Sequence, residues 1–292
     1  MQIDYQTTAN FWDKTHFDPV FLRREWKFHP TAKLRLHALL GASSREQWFH
    51  NRYLSGRSGL RGLSIGVGKA EAELNLISLG GFDRYDLYDV SPVATETGRQ
   101  TAQARGLKAA NFVCGDIYEA VLPDGGYDVI TFFAALHHMG DLEAILQKCN
   151  RMLAPGGVLW AAEYVGPDRF QFPDKHTAFA KALYRALDPE IKLPFEPELR
   201  FPSAEEVIAA DPTESIHPSE IQSTMRSIWP NMEFIGTYGT LMFILSWCLN
   251  YNAWYDTDQG RESFNTILDI DAAMIDAGRL PHYFAYLVAK KE

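Results

Sequence analysis

Short apolar runs alternate with amphipathic stretches through the middle of the chain, and glycine or proline marks most of the junctions. Leu63-Ser64-Ile65, Tyr85-Asp86-Leu87-Tyr88, Asn111-Phe112-Val113-Cys114, Tyr127-Asp128-Val129-Ile130-Thr131-Phe132-Phe133 and Val158-Leu159-Trp160-Ala161-Ala162-Glu163 have the length and apolar content of buried strands. Between them, Ala70 to Leu79, Val93 to Ala104 and Leu142 to Leu153 carry helical spacing. Strand and helix in strict alternation require a parallel sheet covered on both faces. Residues 231 to 238 read as a sixth strand and His282 to Ala289 as a last, antiparallel one, with helices from about Leu241 to Tyr251 and from about Gly260 to Ala277 between them. The expected fold is therefore α/β, a Rossmann-like seven-stranded, mostly parallel sheet with helices on both faces.

Two regions depart from this rhythm. Residues 1–58 are dense in aromatics (Phe11, Trp12, Phe17, Phe21, Trp26, Phe28, Trp48, Phe49, Tyr53), with one helix expected from Pro30 to Leu40, ended by Gly41, and another capped by Ser43-Ser44. One reading packs these aromatics onto the sheet. The other makes the segment a helical lid closed over a ligand by Tyr5, Trp12, Phe17 and Arg24. Residues 167–230 contain nine prolines and one helix-like stretch, His176 to Leu187. An insertion after the fifth strand sits at the carboxyl edge of the sheet, where ligands bind, so it is expected to cap an acceptor site on the main domain, residues 59–292.

The first strand ends in Gly66-Val67-Gly68, and a helix follows, the geometry of a nucleotide-type site. A dinucleotide would need Gly or Ala three residues after the second glycine and open helix amides for its pyrophosphate. Glu71 stands there instead, with Glu73 behind it, and carboxylates at a helix N-terminus disfavour phosphate. An adenosine ligand without phosphate fits better, and S-adenosylmethionine (SAM) is one. Asp89 ends the second strand about twenty residues past the turn, where a carboxylate accepts both ribose hydroxyls. Asp116 is placed to accept the adenine amino hydrogens while Ile117 covers the ring.

In order along the chain, the glycine turn, Asp89 with Ser91-Pro92, Gly115-Asp116, Tyr127-Asp128-Val129, Leu136-His137-His138 and Leu153-Ala154-Pro155-Gly156-Gly157 resemble the class I SAM-dependent methyltransferases over residues 60 to 165. The resemblance implies SAM as cofactor, held by Gly66, Val67, Gly68, Asp89, Val90, Asp116, Ile117 and Ala134. Two positions depart from the pattern. Ser64 replaces a common acidic residue, a role that Glu71 or Glu73 is expected to share, and Ala70 replaces a third glycine. Glu163-Tyr164-Val165-Gly166-Pro167 with Arg169-Phe170-Gln171 further resembles a subgroup associated with glycan or secondary-metabolite biosynthesis.

Methyl transfer needs alignment of nucleophile, methyl and sulfur, and a hydroxyl acceptor also needs a base. His137 and His138 stand just past the fourth strand, with His138 preferred as the base, and Glu163 at the end of the fifth is placed to orient a histidine or bind the acceptor. No metal is expected, because adjacent histidines lack a partner spaced like a zinc site. Two rivals remain: a nicotinamide-dependent oxidoreductase, against which Glu71 and the lack of an obvious Tyr-x-x-x-Lys count, and a non-catalytic SAM-fold binding protein.

The chain has 292 residues, 46% hydrophobic and 22% charged, and a formal net charge of -9, which argues against general nucleic-acid binding. Three scattered cysteines read as buried thiols of a reducing compartment. Met1 to Tyr5 lacks a basic start and an apolar core, and the run Tyr238 to Leu249 is too short to span a bilayer. The expectation is a cytoplasmic, soluble protein acting on a small neutral or cationic organic acceptor, with no nucleic-acid or membrane partner.

Overall fold

Seven strands form one sheet: β1 (Leu60–Ile65), β2 (Phe82–Asp89), β3 (Ala110–Cys114), β4 (Tyr127–Phe133), β5 (Leu153–Tyr164), β6 (Glu233–Gly236) and β7 (Phe284–Lys290). Their order across the sheet is β3-β2-β1-β4-β5-β7-β6, with β7 antiparallel to both of its neighbours and the other pairs parallel. The computed structural model describes residues 5–15, 23, 25–193 and 198–292. Phe17, Phe21, Arg24, Pro194 and Pro197 lie outside the described residues. The helices are α1 (Tyr5–Thr15), α2 (Pro30–Leu40), α3 (Arg45–Phe49), α4 (Glu71–Ser78), α5 (Pro92–Ala104), α6 (Leu142–Met152), α7 (Asp174–Ala186), α8 (Ala204–Ala210), α9 (Ile221–Ile228), α10 (Thr240–Ser246), α11 (Tyr251–Asp256) and α12 (Asp258–Asp276). None of the described helices is long and apolar enough to cross a membrane.

The period-2 alternation of the strands divides the core into two layers. Leu63, Ile65, Ile130, Phe132, Leu159, Ala161 and Leu287 point to one face and pack against Ile145, Leu146 and Cys149 of α6 and Ile221 and Met225 of α9. Tyr85, Leu87, Val129, Val158, Trp160 and Val288 point to the other and meet Trp48, Phe49, Leu54, Leu74 and Ile77. Gly62 is required on β1, since a Cβ there would lie 2.5 Å from the Tyr85 ring. A third cluster joins Tyr164 and Phe284 at the ends of β5 and β7 to Tyr184 of α7, Leu241 and Leu245 of α10, Trp254 of α11 and Phe264 and Ile267 of α12.

Phe49 stacks on Trp160 at 4.4 Å and 14°, and Trp48 lies 6.1 Å from the same ring, so the aromatics of α3 follow the reading that packs them onto the sheet, while two other expectations change. A pair of this kind contributes about 0.5–1.5 kcal/mol beyond its buried area, which favours a permanent contact over a hinged one. The segment 167–230 holds three α-helices rather than one, and α9 at its end is part of the main core on the β4–β5 face. Pro218 at the first turn before α9 and Pro230 after it masked that amphipathic helix in the sequence. Finally, Cys149 and Cys248 are buried but Cys114 is exposed, because it ends the edge strand β3.

Candidate active site

β1 delivers the chain into a turn in which Gly66 and Gly68 have φ of 69° and 52°, and Ala70 follows at 58°. A side chain at Gly66 would be strained by that φ and would bring a Cβ within 2.8 Å of the Cβ of Ala135. Ala70 pays the left-handed conformation that a third glycine would have taken freely, and its amide is held by the Val67 carbonyl at 2.7 Å. The amides of Gly66 and Val67 donate to the Tyr88 carbonyl at 2.8 and 3.2 Å, locking the turn to β2.

At the end of β2, Asp89 accepts from the Gly68 amide on Oδ2 at 2.7 Å and from the Ser91 amide on Oδ1 at 2.8 Å. Burial pushes this carboxyl above its ordinary range, against the pull of the Ser91 and Gly68 amides. Its carbonyl receives the Gly115 amide at 2.9 Å, which brings the β3 end alongside. There Asp116 accepts from the Tyr118 amide at 2.8 Å and Ile117 is buried. Val90 is half-buried next to Asp89 in the chain, and Ala134, exposed with φ of 54°, follows β4.

Of the two candidates to stand in for the acid lacking on β1, Glu73 is the one that reaches Ser64. Ser64 Oγ donates to Glu73 Oε1 at 2.8 Å, and the buried carboxyl is raised by desolvation to about 7. Glu71 is exposed at the start of α4, and the Ser64 hydroxyl is bonded to Glu73. One turn of α4 decides the matter: Glu73 faces the sheet and Glu71 does not.

The histidine site lies at the ends of β4 and β5. Glu163 Oε1 accepts from the amides of Ala135 and Leu136 at 2.9 and 2.8 Å, and its Oε2 is 2.7 Å from His137 Nδ1. A carboxylate accepts only, so His137 Nδ1 carries a proton, and in the neutral ring Nε2 keeps its lone pair. Burial of the His137 ring pulls its pKa down, but the Glu163 bond and the charges of Glu163 and Glu214 outweigh that and raise it. Glu163 thus orients His137, not the neighbouring ring. His138 Nδ1 lies 3.0 Å from Thr213 Oγ1, and that hydroxyl donates to Asp211 Oδ1 at 2.8 Å. Burial and the adjacent His137 lower the pKa of His138.

Asp211, Thr213 and Glu214 were not legible as site residues. They sit in a turn that Arg169 grips through the carbonyls of Glu214 and Pro212 at 2.6 and 3.0 Å, while the Ile216 amide donates to the His137 carbonyl at 3.0 Å. Glu214 stands 3.7 Å from His137 Nε2 and 3.9 Å from His138 Nε2. Helix α1 closes the other side: Thr8 Oγ1 and Trp12 Nε1 donate to Asp211 at 2.9 Å each, Trp12 meets the His138 ring edge-on at 5.6 Å, and Asp13 accepts from Ser91 Oγ at 2.5 Å. The only sequence signal for this turn was its composition, Asp-Pro-Thr-Glu-Ser, which reads as a loop.

Residues 63–161, from the glycine turn through β5, match a family model described as a methyltransferase domain. A demethylmenaquinone methyltransferase of Thermus thermophilus is 33% identical over 84 residues, 29% of this chain and 38% of the relative. Its counterpart from Geobacillus kaustophilus is 25% identical over 142 residues, 47% of this chain and 60% of the relative. The chain therefore spans less than two thirds of the length of these relatives. The structure of phosphoethanolamine N-methyltransferase 2 of Haemonchus contortus in complex with S-adenosyl-L-methionine superposes with a TM-score of 0.54, covering 91% of this chain and 58% of that one at 12% identity. That likeness concerns the fold alone, a Rossmann-like, mostly parallel α/β sheet. Neither rival reading, an oxidoreductase or a non-catalytic binder, is favoured by these matches.

Proposed function

We propose that the protein is a SAM-dependent methyltransferase acting on a hydroxyl or amine of a small organic acceptor, a sugar, glycoside or other secondary metabolite. The observation that carries the reading is the Asp89 carboxylate, set at the end of β2 and bonded to the amide of Gly68. The methyltransferase-domain match over the same residues supports it.

The donor set fits SAM. Asp89 offers a carboxylate for two hydroxyls, Gly66, Val67 and Gly68 offer backbone without side-chain obstruction, and Asp116 with Ile117 offers an acceptor beside an apolar cover. Glu71 and Glu73 in the first turn of α4 oppose a pyrophosphate and not a sulfonium. When bound, SAM supplies a methyl group on a positively charged sulfur. The chain's own residues would align the acceptor between the β4–β5 edge and the 211–216 turn, with α1 excluding water. In the metal-free protein His138 Nε2 takes the proton of a hydroxyl acceptor, and Glu214 faces the imidazolium so formed. His137 stays bonded to Glu163. The subgroup motif supports a glycan or secondary-metabolite acceptor by resemblance, while its Arg169 acts here as a brace for the turn.

Calorimetric titration with SAM and with NAD tests the class, and release of S-adenosylhomocysteine with a panel of sugars, phenols and amines tests the acceptor. Binding of SAM and not NAD is expected. Binding of NAD alone would overturn the reading.

A further inference from the structure

We propose that His137, His138 and Glu214 form a binding site for a divalent first-row transition-metal cation, with coordination positions left for water or an oxygen of the acceptor. The site rests on geometry and stands whether or not the methyl-transfer reading holds.

One ligand atom from each of the three residues lies within 4.8 Å of the others. Ligand atoms about 2.0–2.2 Å from a zinc-like ion are separated by roughly 3.4 Å in a tetrahedron; Glu214 Oε1 lies 3.7 Å from His137 Nε2 and its Oε2 3.9 Å from His138 Nε2, so closure of the Glu214 side chain onto the two rings brings the ligand atoms to that spacing. Such closure is within reach of a side chain that is 18% exposed.

Proximity alone would be a weak argument. The stronger one is that every ligand is already held from behind. A metal-bound histidine generally donates its other ring N–H to a carboxylate or similar acceptor, which fixes the tautomer and aims the free nitrogen. His137 does so to Glu163 at 2.7 Å. His138 does so to Thr213, whose hydroxyl is turned away by its own donation to Asp211. Glu214 Oε1 accepts from Ser215 Oγ at 2.7 Å. Both Nε2 lone pairs therefore converge on one carboxylate, in a pocket where the rings are 8% and 13% exposed.

Two imidazole nitrogens and one carboxylate oxygen suit zinc, iron, cobalt or nickel better than magnesium or calcium, which prefer all-oxygen sets. Three protein ligands leave the coordination sphere open. Chain order hides this cluster, because Glu214 is remote in the chain from the histidine pair. A bound cation would occupy both Nε2 lone pairs, so proton acceptance by His138 belongs to the metal-free protein.

The test is a titration of the chelator-treated full chain with Co²⁺, read by its visible absorption and by calorimetry. One equivalent is expected to bind with a spectrum distinct from the aqua ion. Glu163→Gln should cost roughly 10–100-fold in affinity as an outer partner, and Glu214→Gln, close to isosteric, should cost more. His217→Ala should change nothing, since His217 belongs to a separate, more exposed group with Asp168 and Glu220. Thermal melts and SAM titration of each variant report folding and the cofactor site independently. Absence of the one-equivalent spectrum, or a Glu214→Gln protein that melts normally and binds Co²⁺ as the wild type does, would overturn the proposal. So would loss of binding in His217→Ala alone. A positive Co²⁺ result with no SAM binding would sink the methyltransferase reading and leave the cation site standing.

Discussion

Replacing Asp89 by alanine removes the one carboxylate that the cofactor reading depends on. Each charge-assisted hydrogen bond is worth about 1.5–3 kcal/mol, so losing the ribose contact should weaken SAM binding by about ten- to hundredfold. The structure adds a second cost, because Asp89 also receives the amides of Gly68 and Ser91 at 2.7 and 2.8 Å. Without it the glycine turn loses its tie to β2, and part of the affinity loss would come from a loosened turn. Asp89→Asn separates the two effects: its one carbonyl oxygen can keep an amide partner, while the charge is gone. Its affinity should fall between wild type and alanine. Calorimetry with SAM gives the affinities, and hydrogen exchange of Gly66 to Ala70 reports the turn. If both variants bind SAM with wild-type affinity and melt normally, Asp89 does not hold the ribose.

Three further outcomes are expected. Burial holds the Glu73 carboxyl at about 7 in the folded chain against its ordinary 4.5, so its contribution to stability is full below pH 4.5 and is lost as pH rises through about 7; the difference is about 3 kcal/mol. Urea unfolding at pH 5 and pH 8 should show Glu73→Gln gaining on the wild type at the higher pH, and a pH-independent difference would remove the argument. If α1 is a lid, its amides should gain exchange protection on SAM binding, and Asp211→Asn, which weakens the bonds from Thr8 and Trp12, should reduce that gain; unchanged exchange would make α1 static packing. In metal-free protein His138→Ala should slow single-turnover transfer to a hydroxyl acceptor by about 10²–10⁴-fold, with less loss in Glu163→Gln, and a wild-type rate in His138→Ala would make that ring structural.

The sheet was readable because its signals are local. Alternation at Leu63, Ile65, Val129 and Ile130 marks strand faces, and Gly66 and Pro92 punctuate them. Pro30 to Leu40 and the Ser44 cap were found with their observed bounds for the same reason. Glu163 was readable as a strand-end residue, and Glu73 as one of two candidates to stand in for the acid lacking at Ser64. What failed was long-range. Nothing near His138 announces Thr213, and nothing in the Asp211 turn announces a histidine; the pairing exists only once the segment after β5 returns to the β4 edge. The short helix α9 was hidden by its flanking prolines, although its buried Ile221 and Met225 fit a helical face.

The motif after β5 shows how such a return is enforced. Arg169 and Phe170 have φ of 50° and 58°, a conformation that costs a non-glycine residue roughly 1–3 kcal/mol each. Against this stand two guanidinium bonds to the carbonyls of Glu214 and Pro212, and the Arg169 amide on the Ser215 carbonyl at 2.8 Å. Bonds from a charged donor are worth about 1.5–3 kcal/mol and a neutral amide about 0.5–1.5 kcal/mol, so the bonds offset strain of the same size. The bend persists because of the turn it grips, and the turn is placed because of the bend. Ser215, itself at φ of 49°, is part of the same arrangement and bonds Glu214 Oε1. Arg169 therefore acts on the histidine site through Asp211, Thr213 and Glu214. Its guanidinium is committed to the backbone carbonyls of Glu214 and Pro212, and through them it sets the position of the three residues that face the histidines.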